Sequence, residues 1–309
     1  MNAEKPDTVT VIANPGAGRR EDVIGPLADA FAESRLTWHI EVTGTPDDTR
    51  ALARKAVKQG ARIVVAYGGD GTVSAVAGEV AGTHALLGIL PGGTGNVMAL
   101  ELGIPNDLDA AARLLTGPHD TRVVDLGVAR FDDGSERVFV LRTAIGLEAT
   151  AVEESGRDDK ERFGDFAYFI TALRQMKNPP VAKYVLTSGD GGRAELEGLF
   201  AVLCNSGHTG TGDSRYAPDI SIDDGILDGV IAPATVADLV GAAAVALSGG
   251  QSELVRRLSG TELRLACDPP QRVTVDGEAI AETPVTVTVR PSALRVIVPP
   301  KGEHQEETK

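Results

Sequence analysis

The sequence predicts an α/β protein: a doubly wound, mostly parallel sheet comes first and a β-rich sandwich domain follows. Three observations carry this expectation. Short apolar runs alternate with helix-period segments through the first third of the chain. Three of the early strand-like runs lead straight into glycine-rich turns. Beyond residue 127, strand-like runs succeed one another with few helical interruptions.

Taken in order, TVTVIA (8–13) reads as a strand, followed by a helix pattern from about Asp22 to Glu33. TWHIEV (37–42) is the second strand, and PDDTRALARKAVKQG is a helix with Asp47 or Asp48 at its start. RIVVAY (62–67) is the third strand, with a helix over Thr72–Val80, and ALLGIL (85–90) is the fourth, with a helix beginning near Asn96. After TRVVDLGVA (121–129) the texture changes. RVFVLRTAIG, AKYVLTSG, AELEGLFAVLCNSG, QRVTVDGEAI and TPVTVTVR each read as strand, interrupted by helical stretches near 163–176 and 235–258. The expected division is 1–126 for the α/β domain and 127–291 for the β-rich domain, with a polar, disordered tail at 301–309.

Composition narrows the function. A chain of 309 residues with 42% hydrophobic and 24% charged residues is long enough for two domains with real cores. Its formal charge of -14 argues against nucleic-acid binding, which draws its affinity from neutralising phosphates. Cys204 and Cys267 share no metal-like spacing, and the five histidines form no ligand pattern. No signal peptide and no run of membrane-spanning length is visible, so a soluble cytoplasmic protein is expected.

The glycine turns are NPGAGRR (14–20), GGDGT (68–72) and PGGTGN (91–96). The carboxyl ends of parallel strands face one edge, where ligands bind, so the three turns are expected to converge there. Their backbone N–H groups suit an anion, with Asn14, Gly16, Gly18, Gly68, Gly69, Gly71, Thr72, Gly93, Thr94 and Asn96 as the candidate binding residues. One such turn is commonly a plain connection; three with polar partners favour phosphate binding. The Walker A loop and the G-x-G-x-x-G fingerprint are both absent. Asp70 sits oddly in such a cradle. A carboxylate is tolerable beside a triphosphate when Mg²⁺ or water lies between the charges, so Asp70 is expected to orient a Mg²⁺–ATP complex.

Two acidic stretches follow. In QRVTVDGEAI, strand periodicity puts Thr274, Asp276 and Glu278 on one face, while Asp-Gly between strand-like runs equally signals a hairpin turn. SIDDGILDG (221–229) offers Asp223, Asp224 and Asp228; its oxygens suit Mg²⁺, and a solvated turn is the competing reading. Arg19 and Arg20 would neutralise a triphosphate or meet lipid head groups, or simply stand exposed at a helix start. The aromatic run FGDFAYFITALRQM, with Phe163, Phe166, Tyr168 and Phe169, reads first as core packing and second as an acyl-chain wall. His208 and Asp213 lie in NSGHTGTGDSRYAP, a candidate lid.

NPGAG, GGDGTVSAV and LPGGTGNVMALELGIP together resemble the diacylglycerol kinase catalytic-domain family, which includes bacterial diacylglycerol kinases and sphingosine and ceramide kinases. VVDLGVA, YAPDISIDDGILDGVI, VTVDGEAI and SALRVIVP extend the resemblance over nearly the whole chain. It implies ATP-dependent, Mg²⁺-assisted phosphorylation of a lipid hydroxyl, with the active site in a cleft between an NAD kinase-like nucleotide domain and a lipid-substrate domain. It also implies that a strand at about 292–300 returns to the first domain. By the same resemblance Asp276 is the catalytic base, Glu278 supports it, and Asp224 and Asp228 hold a structural Mg²⁺ that Asp125 joins. The partner it implies is a lipid at a membrane surface, with peripheral association at the inner face; a homodimer is one assembly it allows. LRTAIGLEATAV departs from the family, which has Asn where Arg142 or Thr143 stands and Asp at Glu148, so the acceptor's identity stays open. The rival readings are a kinase of a soluble substrate, related to NAD kinase, and a non-enzymatic nucleotide- or metal-responsive protein.

Overall fold

The computed structural model describes residues 7–16, 22–146, 179–209, 215–248, 250 and 252–300. Gly18, Arg19, Arg20, Glu148, Asp213, the 163–176 aromatic segment and the 301–309 tail lie outside the described residues. The chain divides into two compact units, Met1–Val124 with Ala293–Lys309, and Asp125–Ser292.

In the first unit the order is β1 (Thr8–Ala13), α1 (Ile24–Phe31), β2 (Thr37–Val42), α2 (Pro46–Lys58), β3 (Ile63–Gly68), α3 (Asp70–Val80), β4 (Leu86–Pro91), α4 (Val97–Glu101) and α5 (Leu108–Leu114). The strands β2, β1, β3 and β4 pair in parallel in that spatial order. Strands covered on both faces need near-continuous apolar sequence. Val9, Val11, Ile12, Val64, Val65, Leu87 and Leu90 supply it, all fully buried. Helix α2 starts at Pro46 with Asp47 and Asp48 in its first turn, and Thr45 caps it by accepting the Asp48 N–H at 3.2 Å.

The second unit is all strand except for one helix among its described residues. It holds β5 (Asp120–Phe131, from Asp125 on), β6 (Glu136–Phe139), β7 (Arg142–Gly146), β8 (Ala182–Ser188), β9 (Arg193–Gly198), β10 (Phe200–Cys204), β11 (Leu227–Ile231), α6 (Val236–Leu247), β12 (Arg256–Gly260), β13 (Glu262–Asp268), β14 (Arg272–Val275), β15 (Glu278–Glu282) and the first part of β16 (Val285–Val298). One antiparallel sheet runs β12-β11-β10-β7-β14-β15; β16, β13, β8 and β9 pair antiparallel in another. Tyr184, Leu186, Leu263, Val285 and Val287 of one pack with Ile145, Leu203, Leu227 and Val273 of the other. The last residues of β16 pair in parallel with β4, Val296 opposite Leu87, inside the first unit.

The expected α/β class with an antiparallel second domain is what the chain forms. Several single strands of the sequence reading prove to be pairs. RVFVLRTAIG splits into β6 and β7, AELEGLFAVLCNSG into β9 and β10, and QRVTVDGEAI into β14 and β15. The helix expected over 235–258 stops at Leu247, where the Ser248 and Gly250 N–H groups turn back onto the Val245 carbonyl at 3.1 and 3.0 Å.

Gly127 of β5 faces Phe139 of β6 in register, and a Cβ on it would fall 1.9 Å from the buried ring. Overpacking of this kind costs about 1–3 kcal/mol. Gly127→Ala is therefore expected to lower the melting temperature by several degrees, which calorimetry would read directly.

Candidate functional site

Two sets of polar side chains stand out, one in each unit. In the first unit, the three glycine turns leave β1, β3 and β4 at the carboxyl edge of the parallel sheet. They are tied to one another. Asn14 accepts the Gly16 N–H at 3.1 Å and donates through Nδ2 to Thr72 Oγ1 at 3.3 Å. The Gly92 N–H donates to the Gly68 carbonyl at 3.0 Å. Gly93 must be glycine for this backbone contact, since a Cβ on it would lie 2.4 Å from Gly69 Cα. Gly71 differs. A Cβ there would meet nothing within 4 Å, so its surface stands open at the first turn of α3.

Helix α3 begins at Asp70, two residues earlier than expected, because extended Gly69 caps it and its carbonyl accepts from both Thr72 N–H and Val73 N–H. Asp70 thus occupies the first helical position, where a carboxylate complements the helix dipole. Its Oδ1 accepts the Met98 N–H of α4 at 3.1 Å, which fastens the second turn to the third. Asn96 is buried in a left-handed conformation (φ 48°). Its carboxamide accepts the Gly93 N–H and donates to the Gly93 carbonyl and to Asn106 Oδ1, all at 2.9 Å. Thr94 is exposed. Of the ten expected binding residues, Asn14, Gly93 and Asn96 shape the turns, while Gly71 and Thr94 present open surface.

In the second unit, Asp276 is not on a strand face. Asp276 (φ 44°) and Gly277 (φ 85°) form the two-residue turn between β14 and β15, with Val275 opposite Glu278. This corrects the shared-face reading of Thr274, Asp276 and Glu278: positive φ at both residues makes a hairpin turn, which Asp-Gly favours. The Asp276 carboxylate accepts three backbone N–H groups, Val140 at 2.7 Å, Leu141 at 3.0 Å and Arg142 at 2.9 Å. Its own N–H donates to the Arg142 carbonyl at 2.9 Å. These donors fix the carboxylate in place. Glu278, by contrast, has an exposed side chain.

The network continues through Asn205, which sequence reasoning did not single out. Buried Asn205 donates through Nδ2 to the Val140 carbonyl at 2.8 Å and the Asp125 carbonyl at 3.0 Å. Asp125 in turn accepts the Ser292 and Gly225 N–H groups, both at 2.6 Å. The Asp276 turn, the 140–142 segment and the 222–225 loop are therefore parts of one hydrogen-bonded frame. Arg142 lies over the Tyr216 ring at 5.6 Å, and Thr143 is fully buried. His208 is buried and bridges backbone-to-backbone with Arg215; residues 210–214 of the expected lid lie outside the described residues.

The expected metal residues are brought together and are engaged by protein donors. Buried Asp228 accepts from Arg257 and Ser259, and Arg257 also reaches Asp219. Desolvation pushes the Asp224 carboxyl above the ordinary range; the Ile226 N–H offsets part of this, and the charges of Asp228 and Asp125 push further. Desolvation acts to lower the Arg257 pKa, but hydrogen bonds to Asp219 and Asp228 outweigh it and hold the guanidinium above its usual value. Arg257 carries no sequence signal, standing 29 residues from its partner. Among the described residues no group of three or more His, Cys, Asp or Glu side chains is arranged to hold a metal ion. No helix among them is long and apolar enough to cross a membrane.

Comparison with known proteins bears on both units. Residues 8–129 match the diacylglycerol kinase catalytic domain, and residues 142–298 match the YegS C-terminal NAD kinase beta sandwich-like domain. A Mycobacterium tuberculosis H37Rv protein named diacylglycerol kinase is 30% identical over 303 residues, covering 95% of this chain and 96% of that one. A Pseudomonas aeruginosa UCBPP-PA14 protein named "Probable lipid kinase YegS-like" is 30% identical over 298 residues, covering 95% of both. A crystal structure of a diacylglycerol kinase from Bacillus anthracis str. Sterne superposes with a TM-score of 0.71 at 21% identity, over 96% of this chain and 98% of that one, a likeness of fold.

Proposed function

The chain belongs to the lipid kinase family that joins a diacylglycerol kinase catalytic domain to a YegS-type C-terminal domain, and we propose that it transfers the γ-phosphoryl group of ATP to the hydroxyl of a lipid such as diacylglycerol. The observation that carries the reading is the division of labour within the Asp276–Glu278 turn. Asp276 is committed to three amides, and Glu278 stands exposed beside it.

The glycine turns fit a nucleotide. Open surface at Gly71 and Thr94 and the start of α3 offer N–H groups and a hydroxyl to phosphate oxygens. Bound Mg²⁺–ATP supplies the phosphoryl group and neutralises its charge. Asp70, anchored through one oxygen to Met98, would orient the metal directly or through water. Glu278 takes the proton from the acceptor hydroxyl, and Asp276 holds the turn that presents it. This reverses the order of the pair that the resemblance suggested: the carboxylate exposed to an incoming hydroxyl is Glu278.

The test is to incubate the protein with labelled ATP, Mg²⁺ and a total lipid extract, with NAD as a parallel acceptor, and to identify the labelled product. Label in lipid is expected; label in NAD alone would overturn the reading. In the same assay Asp70→Asn, which keeps an acceptor for Met98 but loses the charge, is expected to slow transfer on the order of 10²-fold with the melting temperature unchanged.

A further inference from the structure

The family resemblance places a structural Mg²⁺ at Asp224, Asp228 and Asp125, and a divalent ion there needs oxygens open to it as hard ligands. Protein donors already take several of these oxygens. Asp228, 2% exposed, accepts through Oδ1 from Arg257 Nε at 2.9 Å, from Arg257 Nη2 at 2.7 Å and from Ser259 Oγ. Asp125 gives one oxygen to Ser292 N–H and the other to Gly225 N–H. Asp224 accepts the Ile226 N–H through Oδ1 at 3.0 Å. Arg257 reaches further, donating through Nη1 to Asp219 Oδ1 at 2.6 Å.

The sheet register sets this arrangement. Asp228 of β11 stands opposite Ser259 of β12, and Val230 opposite Arg257, so Arg257 lies diagonal to Asp228 on the same face. A planar guanidinium with several fixed donors can hold two carboxylates at once, which a lysine cannot do with the same geometry. We propose that Arg257 is the resident cation of the 219–228 acidic loop, taking the place of a structural divalent metal and making this part of the fold independent of magnesium. The proposal stands apart from the kinase reading, which needs magnesium only with the nucleotide.

The test uses the full chain without nucleotide, so that no nucleotide-borne magnesium enters. Its melting temperature is measured by calorimetry with a chelator and with excess Mg²⁺ at matched ionic strength, and Mg²⁺ binding is followed by titration calorimetry. Equal melting temperatures and no saturable binding are expected. Arg257→Met should melt roughly 6–15 °C lower, because an unpaired carboxylate is left buried. Added Mg²⁺ should restore part of that loss, and NaCl at equal ionic strength should not. The proposal is overturned by a wild-type melting temperature that falls on chelation, or by saturable wild-type binding that Asp224→Asn removes. It is equally overturned by an Arg257→Met protein that keeps its melting temperature or gains nothing from Mg²⁺. Should that variant fail to fold, the wild-type measurements decide alone.

Discussion

Glu278→Gln is expected to yield a folded protein in which phosphoryl transfer has fallen by about 10²–10⁴-fold, the usual contribution of a positioned general base. The side chain is exposed at the start of β15, so the isosteric amide costs little packing and the protein should still fold cooperatively. Nucleotide affinity should also be unchanged, since the glycine turns of the first unit are untouched. The loss would thus fall in kcat and spare KM for ATP. Wild-type turnover in the Glu278→Gln protein would falsify the assignment of the base.

Asp276→Ala is expected to fail differently. It strips the acceptor from three N–H groups, two of them on the fully buried or nearly buried residues Val140 and Leu141. A buried donor left without a partner costs about 1–3 kcal/mol, and the positive φ at this position adds strain for alanine. The sum is comparable with the whole stability of many domains, so denaturant unfolding should shift strongly or the protein should be insoluble. Asp276→Asn keeps one carbonyl acceptor and tolerates the left-handed backbone, and it should recover much of the lost stability. Equal stabilities for the alanine and asparagine variants would show that the three amide bonds contribute little. The two residues thus separate by observable: Glu278 in rate, Asp276 in folding.

What the sequence disclosed depended on how local the cause was. The parallel sheet was legible because β3 and β4 are uninterrupted apolar runs and β1 is broken only by Thr8 and Thr10, each followed by its own turn residues. The Asp-Gly hairpin was also written locally, but strand periodicity in QRVTVDGEAI competed with it, and only the paired positive φ values decide between the two. Asn205 and Arg257 were not legible at all. Their partners lie 80 and 65 residues away for Asn205 and 29 and 38 for Arg257, so no spacing rule reaches them. The same distance effect altered the reading of the glycines. Gly93, expected as a binding residue, is also where one turn's backbone touches another's, a contact that only the folded sheet edge creates.

The cross-links among the glycine turns have a kinetic consequence. Asn14 to Thr72, Gly92 to Gly68 and Asp70 to Met98 join segments from three different strand ends. Opening any one of them breaks a bond in its neighbour, so local unfolding here should proceed as one cooperative unit. In amide hydrogen exchange, the N–H groups of Asn14, Gly16 and residues 69–73 and 92–98 should therefore share one rate of opening. A ligand that contacts only one turn would then slow exchange in all three.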